Sequence, residues 1–155
     1  MQPSVKQNFQ FTKEGYQSLR GELATLISRR PQVLTNLVNA REQGDLSENA
    51  GYHAAKEELG KIDSRSKEIK YLLRIGKVVE NADAQVVNFG SKVTLEINGK
   101  ILQFQIVEEL EADPKKGKIS TNSPIGSALM SKKTGEEISI DTQEGKIIYK
   151  IKEIS

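Results

Sequence analysis

The chain has 155 residues, which fits one domain or two small ones. Aromatic content is 5% with no Trp, so a large aromatic core is excluded and a long thin helical element fits. Lys and Arg number 23 against 21 Asp and Glu, a net charge of +2. A protein that coats nucleic acid is far more basic, so any such contact must come from a local patch. Cysteine is absent and His53 is the single histidine, which removes disulfides, thiolate nucleophiles and Cys- or His-rich metal sites. No apolar run approaches the roughly 20 residues of a membrane span, and the N-terminus lacks the apolar core of a signal peptide. A cytoplasmic protein without a membrane partner is expected.

Residues 1–11 read as a short tail. From Thr12 the apolar steps alternate three and four through Tyr16, Leu19, Leu23, Leu26, Arg30, Val33, Leu37 and Ala40, a heptad seam with one polar break. Ile27, Leu34 and Val38 are expected to widen the stripe. Pro31 removes one backbone bond and is expected to bend the helix. A second seam runs Tyr52, Ala55, Leu59, Ile62, Ser66, Ile69, Leu73 and Gly76. Two such seams joined by a short loop predict an antiparallel coiled-coil hairpin. From Thr12 to Gln43 it rises roughly 45–50 Å at 1.5 Å per residue. The hairpin is assigned to residues 1–78 with its tip at 44–49.

Residues 79–88 read as a connector into a domain at 79–155. There the period becomes two. Val93, Leu95 and Ile97, then Asn98-Gly99, then Leu102, Phe104 and Ile106 predict a β-hairpin. A charged loop runs from Glu108 to Lys118, and Ile119-Ser120 reads as a short strand. Ser123-Pro124 opens a short helix over 125–130. Glu137–Ile140 and Lys146–Ile151 read as two more strands. The fold class is α+β: a helical hairpin plus a small antiparallel sheet with one short helix. Charge divides only slightly, net +3 over residues 1–80 and −1 over 81–155.

The tip carries Asp45 and Glu48, and two explanations stand side by side. Asp45 as an N-cap with Glu48 three residues on would form a capping box, each reaching the other's backbone N–H. Alternatively, two exposed carboxylates on one turn can share a hard cation such as Mg²⁺. Such a pair is incomplete and would need ligands from another protein or a phosphate. Arg41 and Lys56 flank the tip and are candidates for phosphate contacts. Tyr52 could stack on a base, although it also belongs to the seam. Arg29, Arg30, Lys61, Arg65, Lys67 and Lys70 further down the hairpin read as a solvated surface balanced by Glu57, Glu58, Asp63 and Glu68.

The run from Ala40 to Ala50, followed by Tyr52-His53-Ala54-Ala55-Lys56-Glu57, closely resembles the signature of the bacterial Gre transcript-cleavage factors, most like the GreA branch. Leu23, Arg29-Arg30-Pro31 and Asn122-Ser123-Pro124-Ile125-Gly126 extend the likeness over essentially the whole chain. The resemblance implies an N-terminal coiled coil and an FKBP-like C-terminal domain. It implies a monomer that binds RNA polymerase at its secondary channel and stimulates cleavage of backtracked RNA. In that reading Asp45 and Glu48 are the catalytic and metal-holding pair, sharing Mg²⁺ with the polymerase. Arg41 and Lys56, with Tyr52, meet the displaced RNA 3′ segment. Ser123, Pro124 and Ile125, with Leu129 and Met130 nearby, are candidates for polymerase docking. The family often has an acidic residue where this chain has Gly51, and an Arg is also found where this chain has Lys56, which lacks the bidentate fork. The protein alone is expected to have little nuclease activity. Competing functions are a channel-binding modulator without cleavage, and a prolyl isomerase built on the C-terminal half, whose aromatics are only Phe89, Phe104 and Tyr149.

Overall fold

The computed structural model describes residues 9–45, 47–80 and 84–155. The N-terminal residues 1–8, Leu46 of the tip and residues 81–83 of the connector lie outside them. Two long helices, α1 (Lys13–Glu42) and α2 (Ala50–Ile75), form the expected hairpin. The elements that follow build a small sheet domain. By contacts the chain divides into a helical unit, Tyr16–Gly76, and a second unit of the residues through Gly15 together with Lys77–Ser155.

In the helical unit the predicted seams are the buried ones. Val33 and Ala40 of α1, and Ala55, Ile62 and Ile69 of α2, are buried, with Leu72 beside them. The remaining apolar seam residues are half-buried, as a two-helix pair with no third layer requires. The expectation that Ile27, Leu34 and Val38 widen the packed stripe is corrected: they are 53%, 40% and 45% exposed. A single partner helix covers only a narrow a/d stripe, so the flanking apolar positions face water. Helix α1 runs unbroken through Pro31, which sits on the exposed side where water can satisfy the freed carbonyl.

Charged side chains lock the two helices. Arg30 grips Asp63 through two bonds of 2.7 and 3.2 Å. Arg65 bridges Glu22 of α1 at 2.6 and 3.0 Å and Glu68 of its own helix at 2.9 Å. Arg29 pairs with Glu58 across the helices, while Lys61 pairs with Glu57 of its own helix. For these cations the balanced-surface reading holds. Exposed pairs of this kind contribute little, and the Arg65 network, with two carboxylates on one guanidinium, contributes most.

The second unit is a five-stranded sheet in the order β5-β4-β3-β7-β6. Its strands are β3 (Lys92–Ile97), β4 (Lys100–Val107), β5 (Lys118–Ser120), β6 (Glu137–Thr142) and β7 (Gly145–Ile154). Asn98 and Gly99 take φ of 49° and 78°, as the tight β3–β4 turn demands. One pair departs from the all-antiparallel expectation, because β5 runs parallel to β4. The loop from Glu108 contains two single 3-10 turns that reverse the chain before β5. Val93, Leu95, Ile106 and Ile151 face a core closed by Leu129 of α3 (Pro124–Leu129). Leu102, which alternates with Phe104 and Ile106 along β4, is 37% exposed near the β3–β4 turn.

The tail reading also changes at its inner end. Gln10–Phe11 form a two-residue strand, β1, paired in parallel with β2 (Lys77–Val78), and Phe11 is fully buried. Thr12 caps α1 by accepting from the Gly15 N–H at 3.0 Å. The Glu111 carboxylate then accepts from the Thr12 N–H and hydroxyl at 2.9 and 2.6 Å. Gly15 is what admits that carboxylate, since a Cβ there would lie 1.9 Å from Glu111 Oε1.

Candidate functional site

The tip loop is shaped by a glycine and an asparagine. Gly44 has φ of +127°, a conformation L side chains rarely adopt, and it ends the first helical run. Asn49 is the N-cap of α2. Its Oδ1 accepts from the Tyr52 N–H at 3.0 Å, and its Nδ2 donates to the Ala40 carbonyl at 2.6 Å. One side chain therefore starts the second helix and ties it to the end of the first. This replaces the predicted capping box. Asp45 does not cap α2, because the helix begins five residues after it, at Ala50.

Asp45 is instead in an Asx turn. Its Oδ1 accepts from the Ser47 N–H at 3.0 Å and the Ser47 hydroxyl at 2.9 Å. These two donors, the backbone one first, hold its carboxyl below the ordinary carboxylate range. Oδ2 takes no hydrogen bond among the described residues. Glu48 is exposed and likewise makes no hydrogen bond or ion pair among them. Both carboxylates are thus exposed in the loop, and at least three of their four oxygens remain for other partners. Hard oxygen donors of this kind suit Mg²⁺. Among the described residues no group of three or more His, Asp or Glu assembles to hold a metal, so the pair is a partial shell only.

The flanking residues divide. Lys56 lies 6.0 Å from the Tyr52 ring centroid, and His53 meets the same ring edge-on with centroids 5.5 Å apart. Tyr52, His53 and Lys56 therefore form one cluster on the first turns of α2. Tyr52 is half-buried and Lys56 exposed. Arg41, exposed in the last turn of α1, makes no ion pair among the described residues. Gly51 has room for a side chain, with Asn49 Oδ1 at 3.5 Å and Ala40 Cβ at 3.9 Å from a built Cβ. The first turn of α2 carries no acidic residue.

The proposed docking helix is separate in character. Ser123 is its N-cap: its Oγ accepts from the Gly126 N–H at 3.0 Å and donates to the Ser120 carbonyl at 2.7 Å. Pro124 is exposed, while Ile125 and Met130 pack against the core and Leu129 is fully buried. Leu129 is a core residue, and the surface offered here is Pro124 with the rim of Ile125. Sequence reasoning missed Asn49. The signal was present, since Asn49 stands three residues before Tyr52, where the second seam begins, but Asp45 and Glu48 matched a more familiar pattern. For a prolyl isomerase, Phe89 and Tyr149 are buried and unavailable to line a proline pocket.

Residues 9–78 match the family model described as "Transcription elongation factor, N-terminal", and residues 82–155 that described as "Transcription elongation factor, GreA/GreB, C-term". The chain belongs to the GreA/GreB family of transcription elongation factors. The "Transcription elongation factor GreA" of Thermomicrobium roseum is 39% identical over 97% of this chain and 99% of that protein. The protein of the same name from Thioalkalivibrio sulfidiphilus is 44% identical over 90% of this chain and 92% of its own length. Among solved structures, the GreA factor homolog 1 (Gfh1) of Thermus thermophilus is 30% identical, covering 96% of this chain and 99% of that one, with a TM-score of 0.45. Residues of the family signature thus coincide with the tip just described. No helix among the described residues is long and apolar enough to cross a membrane.

Proposed function

We propose that this factor binds RNA polymerase as a cytoplasmic monomer, inserts its helical hairpin into the secondary channel and stimulates the polymerase's own cleavage of backtracked RNA. One observation carries the reading: Asn49, not Asp45 or Glu48, caps α2, so the structure of the tip does not consume the two carboxylates. Asp45 and Glu48 would hold a cation shared with the polymerase. When bound there, Mg²⁺ polarises an attacking water and steadies charge on the phosphate. The Ser47 donors keep Asp45 anionic and fixed in its turn. Arg41 and Lys56 sit near the carboxylates and would contact the displaced RNA, Tyr52 supporting Lys56. Ser123 would set the start of α3 so that Pro124 and Ile125 meet the polymerase surface.

The test is a backtracked elongation complex in Mg²⁺, comparing wild type with Asp45→Asn and Glu48→Gln. Asn at 45 retains an acceptor for Ser47, and Gln at 48 disturbs no bond. Cleavage should fall by two or more orders of magnitude with polymerase binding kept. Full cleavage by the double variant would refute the metal role. Binding with no cleavage by the wild type would instead favour a channel-binding modulator.

A further inference from the structure

The two flanks of the helical hairpin differ in charge. One carries Arg29–Glu58 and Glu22–Arg65–Glu68, each cation neutralised. The other carries Arg30–Asp63 and, toward the C-terminal end of α2, Lys67, Lys70 and Arg74. These three form no ion pair among the described residues. They line a groove of about 810 Å³ together with Ile27 and Tyr71. Lys67, Lys70, Tyr71 and Arg74 follow the 3-4-7 spacing that puts them on one helix face. The groove holds four cations and one carboxylate, net +3. Ile27 is 53% and Tyr71 48% exposed, so it also offers apolar surface.

We infer that this groove is a docking site for an acidic amphipathic helix of the polymerase, engaged at the end of the hairpin away from the tip. The inference rests on polymerase binding as proposed above. Two features favour a helix over RNA. The Arg74 guanidinium lies 5.5 Å from the Tyr71 ring centroid and covers a ring face that a base would stack on. Ile27 and Tyr71 stay exposed beside the cations, apolar surface that suits the stripe of a helix and not a phosphate backbone. The lysine-to-arginine span of seven residues is about 10 Å, which matches two turns of a partner helix. Its apolar stripe would cover Ile27 and Tyr71, and its carboxylates would meet Lys67, Lys70 and Arg74.

The experiment titrates fluorescently labelled full-length protein with core polymerase free of nucleic acid, using wild type, Lys67→Glu/Lys70→Glu and Tyr71→Ser. The charge reversal should raise Kd tenfold or more, and Tyr71→Ser several-fold. All substituted side chains are exposed, and circular dichroism is to check that helix content is retained. Equal Kd for wild type and both groove variants overturns the proposal. An effect of charge reversal that arises only on complexes carrying backtracked RNA also overturns it, in favour of RNA as the occupant. Absence of wild-type binding to polymerase would instead refute the underlying function.

Discussion

Replacing Asn49 by Ala removes two bonds at once. The lost N-cap is worth about 1 kcal/mol, within a range of about 0.5–2. The lost donor to the Ala40 carbonyl, at 2.6 Å beside a buried residue, adds about 0.5–1.5 kcal/mol. The sum is about 1–3.5 kcal/mol, placed where the helices join. For a chain of this size that corresponds to a fall in Tm of roughly 2–14 °C. Thermal unfolding followed at 222 nm reads it out. Asn49→Ser separates the parts: its hydroxyl keeps an acceptor for the Tyr52 N–H but is too short to replace the amide donor to Ala40. It should therefore fall between wild type and Asn49→Ala. The companion is Asp45→Ala, which breaks only the Ser47 turn in the exposed loop and should shift Tm far less. If Asp45→Ala destabilises the hairpin by as much as a cap and Asn49→Ala leaves it unchanged, the assignment of the cap to Asn49 is wrong.

Gly51→Ala should stabilise the hairpin by about 0.5–1 kcal/mol, since the site is helical and a methyl fits; a lower Tm would contradict that fit. Glu111→Ala should cost about 1.5–3 kcal/mol by releasing Thr12. In that background Gly15→Ala should turn from harmful to neutral or better, because the methyl then displaces nothing. A double-mutant cycle showing simple additivity would refute this coupling. The Arg65 hydrogen bond holds Glu22 below its ordinary 4.5, and Arg30 and Lys61 do the same to Asp63 and Glu57. Folded carboxylates with depressed pKa values contribute stability that is complete above the unfolded value and lost as pH falls through the folded one. Helix content should hold to about pH 4.5 and decline below it. Glu22→Gln should weaken the dependence, and an identical acid profile would argue that the bridge contributes nothing.

The helices were legible because a two-helix pair needs one narrow stripe, and the 3-4 spacing of its apolar residues marks that stripe directly. The same logic explains Ile27, Leu34 and Val38: hydrophobicity alone does not reveal that they stay exposed beside a single partner helix. Asn98-Gly99 announced its turn through the positive φ it requires. Strand β1 was hidden because its two residues are defined by pairing with Lys77–Val78, far along the chain. The parallel pairing of β5 was hidden for a similar reason, as nothing in Lys118–Ser120 encodes direction. At the tip, the Asp45/Glu48 spacing suggested a cap, but the choice fell to Asn49 through its long-range bond to Ala40. Local pattern picked out the two tip carboxylates while misjudging what holds the loop. Arg41 and Lys56 were legible only as charge near the tip, and their pairing state needed the structure.

The central claim is that Asp45 and Glu48 act in polymerase chemistry and not in folding. The most direct measurement is the rate of transcript cleavage in a stalled, backtracked complex as Mg²⁺ is varied, with wild type and Asp45→Asn/Glu48→Gln. The double variant should keep wild-type Tm and polymerase affinity, lose cleavage by two or more orders of magnitude, and regain part of it at high Mg²⁺. Cleavage at the wild-type rate and Mg²⁺ dependence would contradict the account, as would loss of cleavage that follows loss of helix content.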